Sequence, residues 1–104
     1  MKGYKIMTIN KISEGEKLTL ALTGRLDTNS SPALEAELKQ SVGGVKELIF
    51  DFSGVEYISS AGLRILLAAQ KVMNRQGGMK LIGVNEDVME VFEITGFSDI
   101  LTIE

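Results

Sequence analysis

The sequence predicts an α/β fold with the element order β-β-α-β-α-β-α in one domain that spans residues 1–104. Short apolar or alternating runs have the length of strands, and longer segments between them carry apolar residues at helical spacing. A strand, a helix and a further strand in succession favour right-handed crossovers and parallel pairing. We therefore expect a mixed sheet, with an antiparallel hairpin at its start and helices packed on it.

The first two predicted strands form the hairpin. Residues 4–12, YKIMTINKI, alternate between apolar and polar side chains. Residues 16–24, EKLTLALTG, place leucines at every second position, which indicates one buried face. The short SEG segment between the two runs favours a tight connection.

The next segment predicts a helix followed by a buried strand. Ser31 is a candidate N-cap and Pro32 a candidate first helical residue, and Gly43-Gly44 is a stop signal. Leucine and valine recur four apart over residues 34–42, as in an amphipathic helix. Residues 46–52, KELIFDF, are almost continuously apolar, which is typical of a strand covered on both faces.

After a predicted turn over residues 53–58, SGVEYI, residues 60–78 form the most apolar helical segment. We expect this helix to pack centrally, with Ser60 as its N-cap and Gly77 or Gly78 at its end. Residues 79–84, MKLIGV, predict a short buried strand.

A last helix is expected to follow that strand. Asn85 is its candidate N-cap and Gly96 its stop. Its inward stripe would consist of apolar residues at positions 88, 89, 91 and 92. Phe97 is placed to pack back on the core, and the tail can add a final short strand.

Composition excludes several classes of function. The net charge is -3 and no Lys/Arg cluster occurs, so we expect no nucleic-acid binding. No apolar run approaches the roughly 20 residues of a membrane span, and we expect a cytoplasmic protein. The chain has no Cys and no His, which removes thiolate chemistry and the commonest general base. No phosphate-binding loop motif is present. We expect no enzymatic activity, no metal and no cofactor.

The pair Ser59-Ser60 has two interpretations, one structural and one functional. A cap on the central helix explains a serine at Ser60 without any further function. However, Arg64 lies in the first turn, where the helix dipole disfavours a cation. Phosphate on Ser60 would reverse that effect, because it adds about -1.5 to -2 charge beside free N–H groups and four residues before Arg64.

Three stretches together resemble the STAS domain family, and in particular its anti-sigma factor antagonists. Residues 51–67, DFSGVEYISSAGLRILL, resemble the central motif, in which a serine precedes Gly-Leu. Residues 22–38 are similar to the family's Gly-x-Leu-Asp segment, and residues 81–101 to its closing strand and helix. The resemblance covers nearly the whole chain.

The resemblance implies a phosphorylation switch. A partner that is both an anti-sigma factor and a serine kinase would bind the unphosphorylated chain, phosphorylate Ser60 and release it. A PP2C-type serine phosphatase would restore the bound form. Asp27 matches a family position beside this serine. The residues implied to contact the partner are Asp27, Thr28, Asn29, Ser59, Ala61, Gly62 and Arg64.

Three alternatives stay open at this point. The best-known antagonists have Asp before the phosphorylated serine and Ser or Thr after it, whereas this chain has Ser59 and Ala61. Ser59 is therefore an alternative acceptor, and the chain could instead be an unphosphorylated scaffold subunit of a sensory or transporter assembly. A small-ligand or nucleotide site at the carboxyl ends of the strands is a further alternative.

Overall fold

A computed structural model describes residues 7–104 of the chain. The predicted element order is confirmed. The elements are the strands β1 (Thr8–Glu14), β2 (Lys17–Leu26), β3 (Glu47–Ile58) and β4 (Gly78–Ile82), the helices α1 (Ser31–Ser41), α2 (Ser60–Gln76) and α3 (Glu86–Thr95), and a 3-10 turn at Phe97–Asp99. Residues 4–6 of the predicted first strand lie outside the described residues.

The strands form a mixed sheet in the order β1-β2-β3-β4. The pair β1 and β2 is antiparallel, and β3 is parallel to both β2 and β4. The predicted hairpin is thus confirmed. In place of a full fifth strand, the tail makes an isolated parallel bridge between Ile103 and Leu81.

The helices pack on one face of this sheet. Right-handed crossovers that step in one direction across a sheet place their helices on the same side. Alternate residues of β2, including Leu20 and Leu22, join one core cluster with buried residues of all three described helices, such as Leu34, Leu66 and Phe92. These side chains are almost fully buried, so burial of apolar area here supplies most of the driving force for folding.

The predicted turn over residues 53–58 is wrong, because these residues continue β3 as far as Ile58. Against β2, the register shifts twice, between Ala21 and Thr23 and between Gly24 and Arg25, and each shift leaves an extra residue in β3. Bulges of this kind let a Ser-Gly sequence remain in a strand while they increase its bend. The consequence is that β2 and β3 end side by side.

The predicted N-cap at Ser31 is wrong by one position. The residue before α1 is Ser30, and its side chain caps no N–H of the helix. The Ser31 hydroxyl instead donates to the carbonyl of Asp27 at 2.6 Å, which ties the first turn to the preceding loop. The predicted boundaries of the other helices at Gly77, Asn85 and Gly96 are confirmed.

Candidate functional site

The carboxyl ends of β2 and β3 bring the predicted site residues together. These neighbouring strands are parallel and end at Leu26 and Ile58, which are register partners. The backbone N–H of Ser59 donates to the carbonyl of Leu26 at 2.9 Å. The loop after β2, which contains Asp27, therefore lies beside the start of α2.

The two serines at this point have different roles. Ser59, not Ser60, is the N-cap of α2, and its Oγ accepts from the N–H of Gly62 at 3.4 Å. The predicted cap is one residue off because β3 runs directly to Ile58 and leaves a single residue, in extended conformation, before the helix. Ser60 is consequently the first residue of α2. Its side chain is exposed, and its hydroxyl makes no hydrogen bond within residues 7–104.

Asp27 organises the adjacent loop. Its Oδ1 accepts from the backbone N–H of Ser30 at 3.1 Å and of Asn29 at 3.0 Å. Its Oδ2 lies 3.6 Å from Nε of Arg25. The hydrogen bond from the backbone of Ser30 is the largest influence that holds the pKa of Asp27 below its ordinary value of 3.8. Asp27 is therefore a fixed negative charge close to the two serines at neutral pH.

Arg25 and Tyr57 form a pair that the sequence analysis did not identify. They face each other across β2 and β3, and the guanidinium carbon lies 4.1 Å from the centre of the Tyr57 ring. Tyr57 is 41% exposed, although it is a large apolar side chain. Exposed arginine and tyrosine are enriched among the residues that dominate binding energy at protein interfaces. The register shifts in β3 create this pairing, and the only signal in the sequence was an aromatic residue two positions before Ser59.

Gly62 has a packing role. A Cβ at this position would lie 2.8 Å from Cγ of Leu26 and 2.9 Å from Cγ1 of Ile58. Because Gly62 is buried, it lets the first turn of α2 approach the ends of the two strands closely. Gly62 is therefore not exposed, and it contributes to this end of the molecule through the position that it gives to the helix.

Arg64, Ala61 and Thr28 lie together at one end of a groove between α1 and α2. Arg64 is exposed, and within residues 7–104 no carboxylate oxygen lies within 4.0 Å of its guanidinium. The predicted partner contacts on the loop after β2 and on the first turn of α2 thus occupy one continuous end of the molecule.

Two further observations concern metal ions and membranes. In the part of the chain that the structure describes, no group of three or more Asp or Glu residues is arranged to hold a metal ion. None of the described helices has the length and apolar character needed to cross a membrane.

Comparisons with known proteins agree with this architecture. The sequence profile of the STAS domain matches residues 8–104. BtrV of Bordetella bronchiseptica, a proposed anti-sigma factor antagonist, is 37% identical over 99 residues, which cover 93% of this chain and 84% of BtrV. The anti-sigma-B factor antagonist of Listeria monocytogenes is 32% identical over 98 residues, with 90% of this chain and 84% of the relative covered.

Solved structures show the same fold. An anti-sigma factor antagonist from Mycobacterium paratuberculosis superposes with a TM-score of 0.84 at 22% identity, over 93% of this chain and 84% of the other. The phosphorylated form of the Bacillus cell fate determinant SpoIIAA superposes with a TM-score of 0.73 at 18% identity, over 93% of this chain and 91% of SpoIIAA. The mixed sheet, the order of its elements and the sequence profile together show that this chain belongs to the STAS domain family, in which its relatives are anti-sigma factor antagonists.

Proposed function

We propose that this chain is an anti-sigma factor antagonist that acts by partner switching. The unphosphorylated chain binds an anti-sigma factor that is also a serine kinase, and phosphorylation of Ser60 releases it. A PP2C-type serine phosphatase returns the chain to its binding form. All of these steps take place in the cytoplasm, and the chain contributes a hydroxyl group without catalysing a reaction itself.

The observation that carries the proposal is the free, exposed hydroxyl of Ser60 at the end of the molecule where the predicted partner contacts meet. The names of the relatives support the antagonist role. The phosphorylated form of SpoIIAA supports a phosphorylation step within this fold.

Ser60 is a better acceptor than Ser59. The Oγ of Ser59 is committed to the N–H of Gly62, and the residue is half-buried between the strands and α2. Phosphate transfer to Ser59 would require a kinase to reach a half-buried hydroxyl, whereas the hydroxyl of Ser60 is exposed. Ser60 can accept a phosphate without loss of any hydrogen bond made within the described residues.

The charge of a phosphate on Ser60 accounts for release without unfolding. The added charge of about -1.5 to -2 would lie beside unpaired N–H groups of the first turn of α2, where an anion is stabilised. It would add to the negative charge of Asp27 in the adjacent loop. A partner surface that fits the neutral serine would then face a concentrated negative charge, and about 1.4 kcal/mol of repulsion weakens binding tenfold.

Mass spectrometry of the endogenous protein tests the modification. The tryptic peptide from Glu47 to Arg64 contains both serines. We expect phosphate on Ser60 with an occupancy that differs between growing and stressed cells. A peptide that is unmodified in every condition would contradict the proposal and favour the scaffold alternative. Phosphate on Ser59 alone would contradict the choice of acceptor.

Binding measurements with purified anti-sigma factor test the switch. Ser60→Asp is expected to weaken the complex at least about tenfold, whereas Ser60→Ala should bind in the presence of ATP without being released. Ser13→Asp is a matched control, because Ser13 is exposed and lies in β1 next to the hairpin, at the opposite end of β2 from the site. Equal affinities for wild type and Ser60→Asp would rule out an electrostatic switch.

A further inference from the structure

A groove between α1 and α2 extends the candidate site away from Ser60. Both helices follow parallel strands and begin at the same end of the sheet, so they run side by side in one direction. The groove has a volume of about 590 Å³. It begins at Thr28 and Ala61 and continues to Val42 and Val72.

The floor and walls of the groove are apolar and small. Leu38 and Ala69 are buried at its base, and Ala61 and Ala68 leave room for another backbone to approach. Val72 is 38% exposed at the far end. From Ala61 to Val72 the groove follows α2 for about 16 Å, at 1.5 Å per residue, which equals about three turns of a helix.

Charged side chains line the edges. Arg64 stands at the end next to Ser60, and Glu35 and Lys39 follow along α1. Of these three, Arg64 is closest in sequence to the phosphate acceptor. Because no carboxylate within residues 7–104 is paired with it, its charge is free for a partner.

We propose that this groove binds an amphipathic helix of the anti-sigma factor, and that a carboxylate on this helix pairs with Arg64; the proposal rests on the function proposed above. A helix of about three turns fits the length, and apolar residues spaced three and four apart would fill the floor. Its polar face would meet the charged edges. An acyl chain would leave the Glu35 carboxylate against a hydrocarbon. The groove is continuous with the proposed partner contacts at Thr28 and Ala61, which favours the anti-sigma factor over a second copy of this chain.

The groove also links phosphorylation of Ser60 to partner binding. Residues four apart on a helix are neighbours, so a phosphate on Ser60 would reach Arg64. It would neutralise the cation that attracts the partner carboxylate and would place a negative charge at the mouth of the groove. Arg64 therefore couples phosphorylation to release.

The test measures the affinity of the unphosphorylated chain for the serine-kinase anti-sigma factor of the same organism, purified and loaded with ADP. Ala68→Trp fills the groove, and Ala36→Trp is its control, because Ala36 is exposed on α1 outside the groove. Arg64→Gln removes the charge, and Arg75→Gln, at the exposed end of α2, is its control. We expect about tenfold weaker binding for Ala68→Trp and about threefold for Arg64→Gln, with both controls within about twofold of wild type.

Coupling is tested by a double-mutant cycle. Ser60→Glu should weaken binding less in the Arg64→Gln background than in wild type, because the cation that it neutralises is already absent. Circular dichroism of each variant establishes that it is folded. Arg64 is exposed, so Arg64→Gln keeps the test informative if the larger tryptophan disturbs α2.

Each outcome separates the two proposals. If wild type binds the anti-sigma factor and is phosphorylated on Ser60, but Ala68→Trp and Arg64→Gln bind normally, the groove proposal is overturned and the proposed function stands. If Ala68→Trp changes only the self-association of the chain, the occupant is a second copy and the groove proposal is also overturned. If wild type binds no anti-sigma factor, both proposals fail.

Discussion

The helices α2 and α3 each begin with N–H groups that have no partner within the helix, and the two helices compensate these groups in different ways. At α3, Oδ1 of Asn85 accepts from the N–H of Val88 at 2.8 Å, and Nδ2 donates to the carbonyl of Val55 at 2.9 Å. Glu86 and Asp87 supply negative charge in the first turn. The free N–H groups and the dipole of this helix are therefore well compensated.

At α2 the polar compensation is weaker. The cap from Ser59 to the N–H of Gly62 is 3.4 Å long, and no acidic residue lies in the first turn. Packing stabilises the start of α2 instead, because Gly62 lets the helix lie directly on Leu26 and Ile58. A helix start that packing holds in place can leave its N–H groups and one serine hydroxyl available. The start of α3 therefore favours stability, whereas the start of α2 leaves N–H groups that can interact with an anion.

The largest effect is expected from a change that removes the packing at α2. In Gly62→Ala, the new Cβ would be forced against Leu26 and Ile58. Both contacts are shorter than 3.0 Å, so we expect overpacking near the upper end of about 1–3 kcal/mol. Alanine recovers about 1 kcal/mol of helix propensity, which leaves a net loss of about 2 kcal/mol in the free energy of unfolding. Urea denaturation measures it.

Gly43→Ala is the matched control, because a Cβ at Gly43 would meet no atom within 4 Å. We expect its unfolding free energy to stay within about 0.5 kcal/mol of wild type. Equal midpoints for the two variants would show that packing at Gly62 does not hold the start of α2.

A smaller effect on the unfolding free energy is expected when the N-caps of α2 and α3 are removed. Asn85→Ala removes a short cap and a second hydrogen bond, and should lower the unfolding free energy by about 1 kcal/mol. Ser59→Ala removes only a long cap and should cost about 0.5 kcal/mol. Thermal and urea unfolding of both variants give the ranking. A larger loss for Ser59→Ala would mean that the cap at α2 matters more than its geometry indicates.

The sequence was sufficient to predict the fold. Periodicity, glycine stops and the Asn85 cap are local signals, and they predicted the element order and most helix boundaries correctly. The motif around Ser59 and Ser60 predicted a strand followed by a central helix, and these two serines lie at the start of α2. These features depend on residues that are close in the sequence.

The misses depend on contacts between distant residues. The Ser-Gly pair at the start of residues 53–58 favours a turn locally, but pairing with β2 and two register shifts keep the segment in β3. Once β3 ends at Ile58, the cap moves to Ser59, and the Ser60 hydroxyl has no hydrogen-bond partner among residues 7–104. The same register brings Arg25 over Tyr57. No local pattern contains this information, because it arises when the second and third strands pair.

The smallest effect tests whether α2 accepts an anion at its start. In Ser60→Glu, the new carboxylate would lie in the first turn and four residues before Arg64, and both the dipole and the ion pair favour it. We expect the unfolding free energy to rise by about 0.5 kcal/mol at low salt, although the same variant should bind the anti-sigma factor more weakly. Ser60→Gln has the same size without the charge and should show no gain. Because exposed charges are screened, the gain of Ser60→Glu should shrink at about 1 M salt. A loss of stability in Ser60→Glu that Ser60→Gln does not share would show that the neighbouring Asp27 charge outweighs the helix dipole, and that phosphorylation would strain this end of the protein.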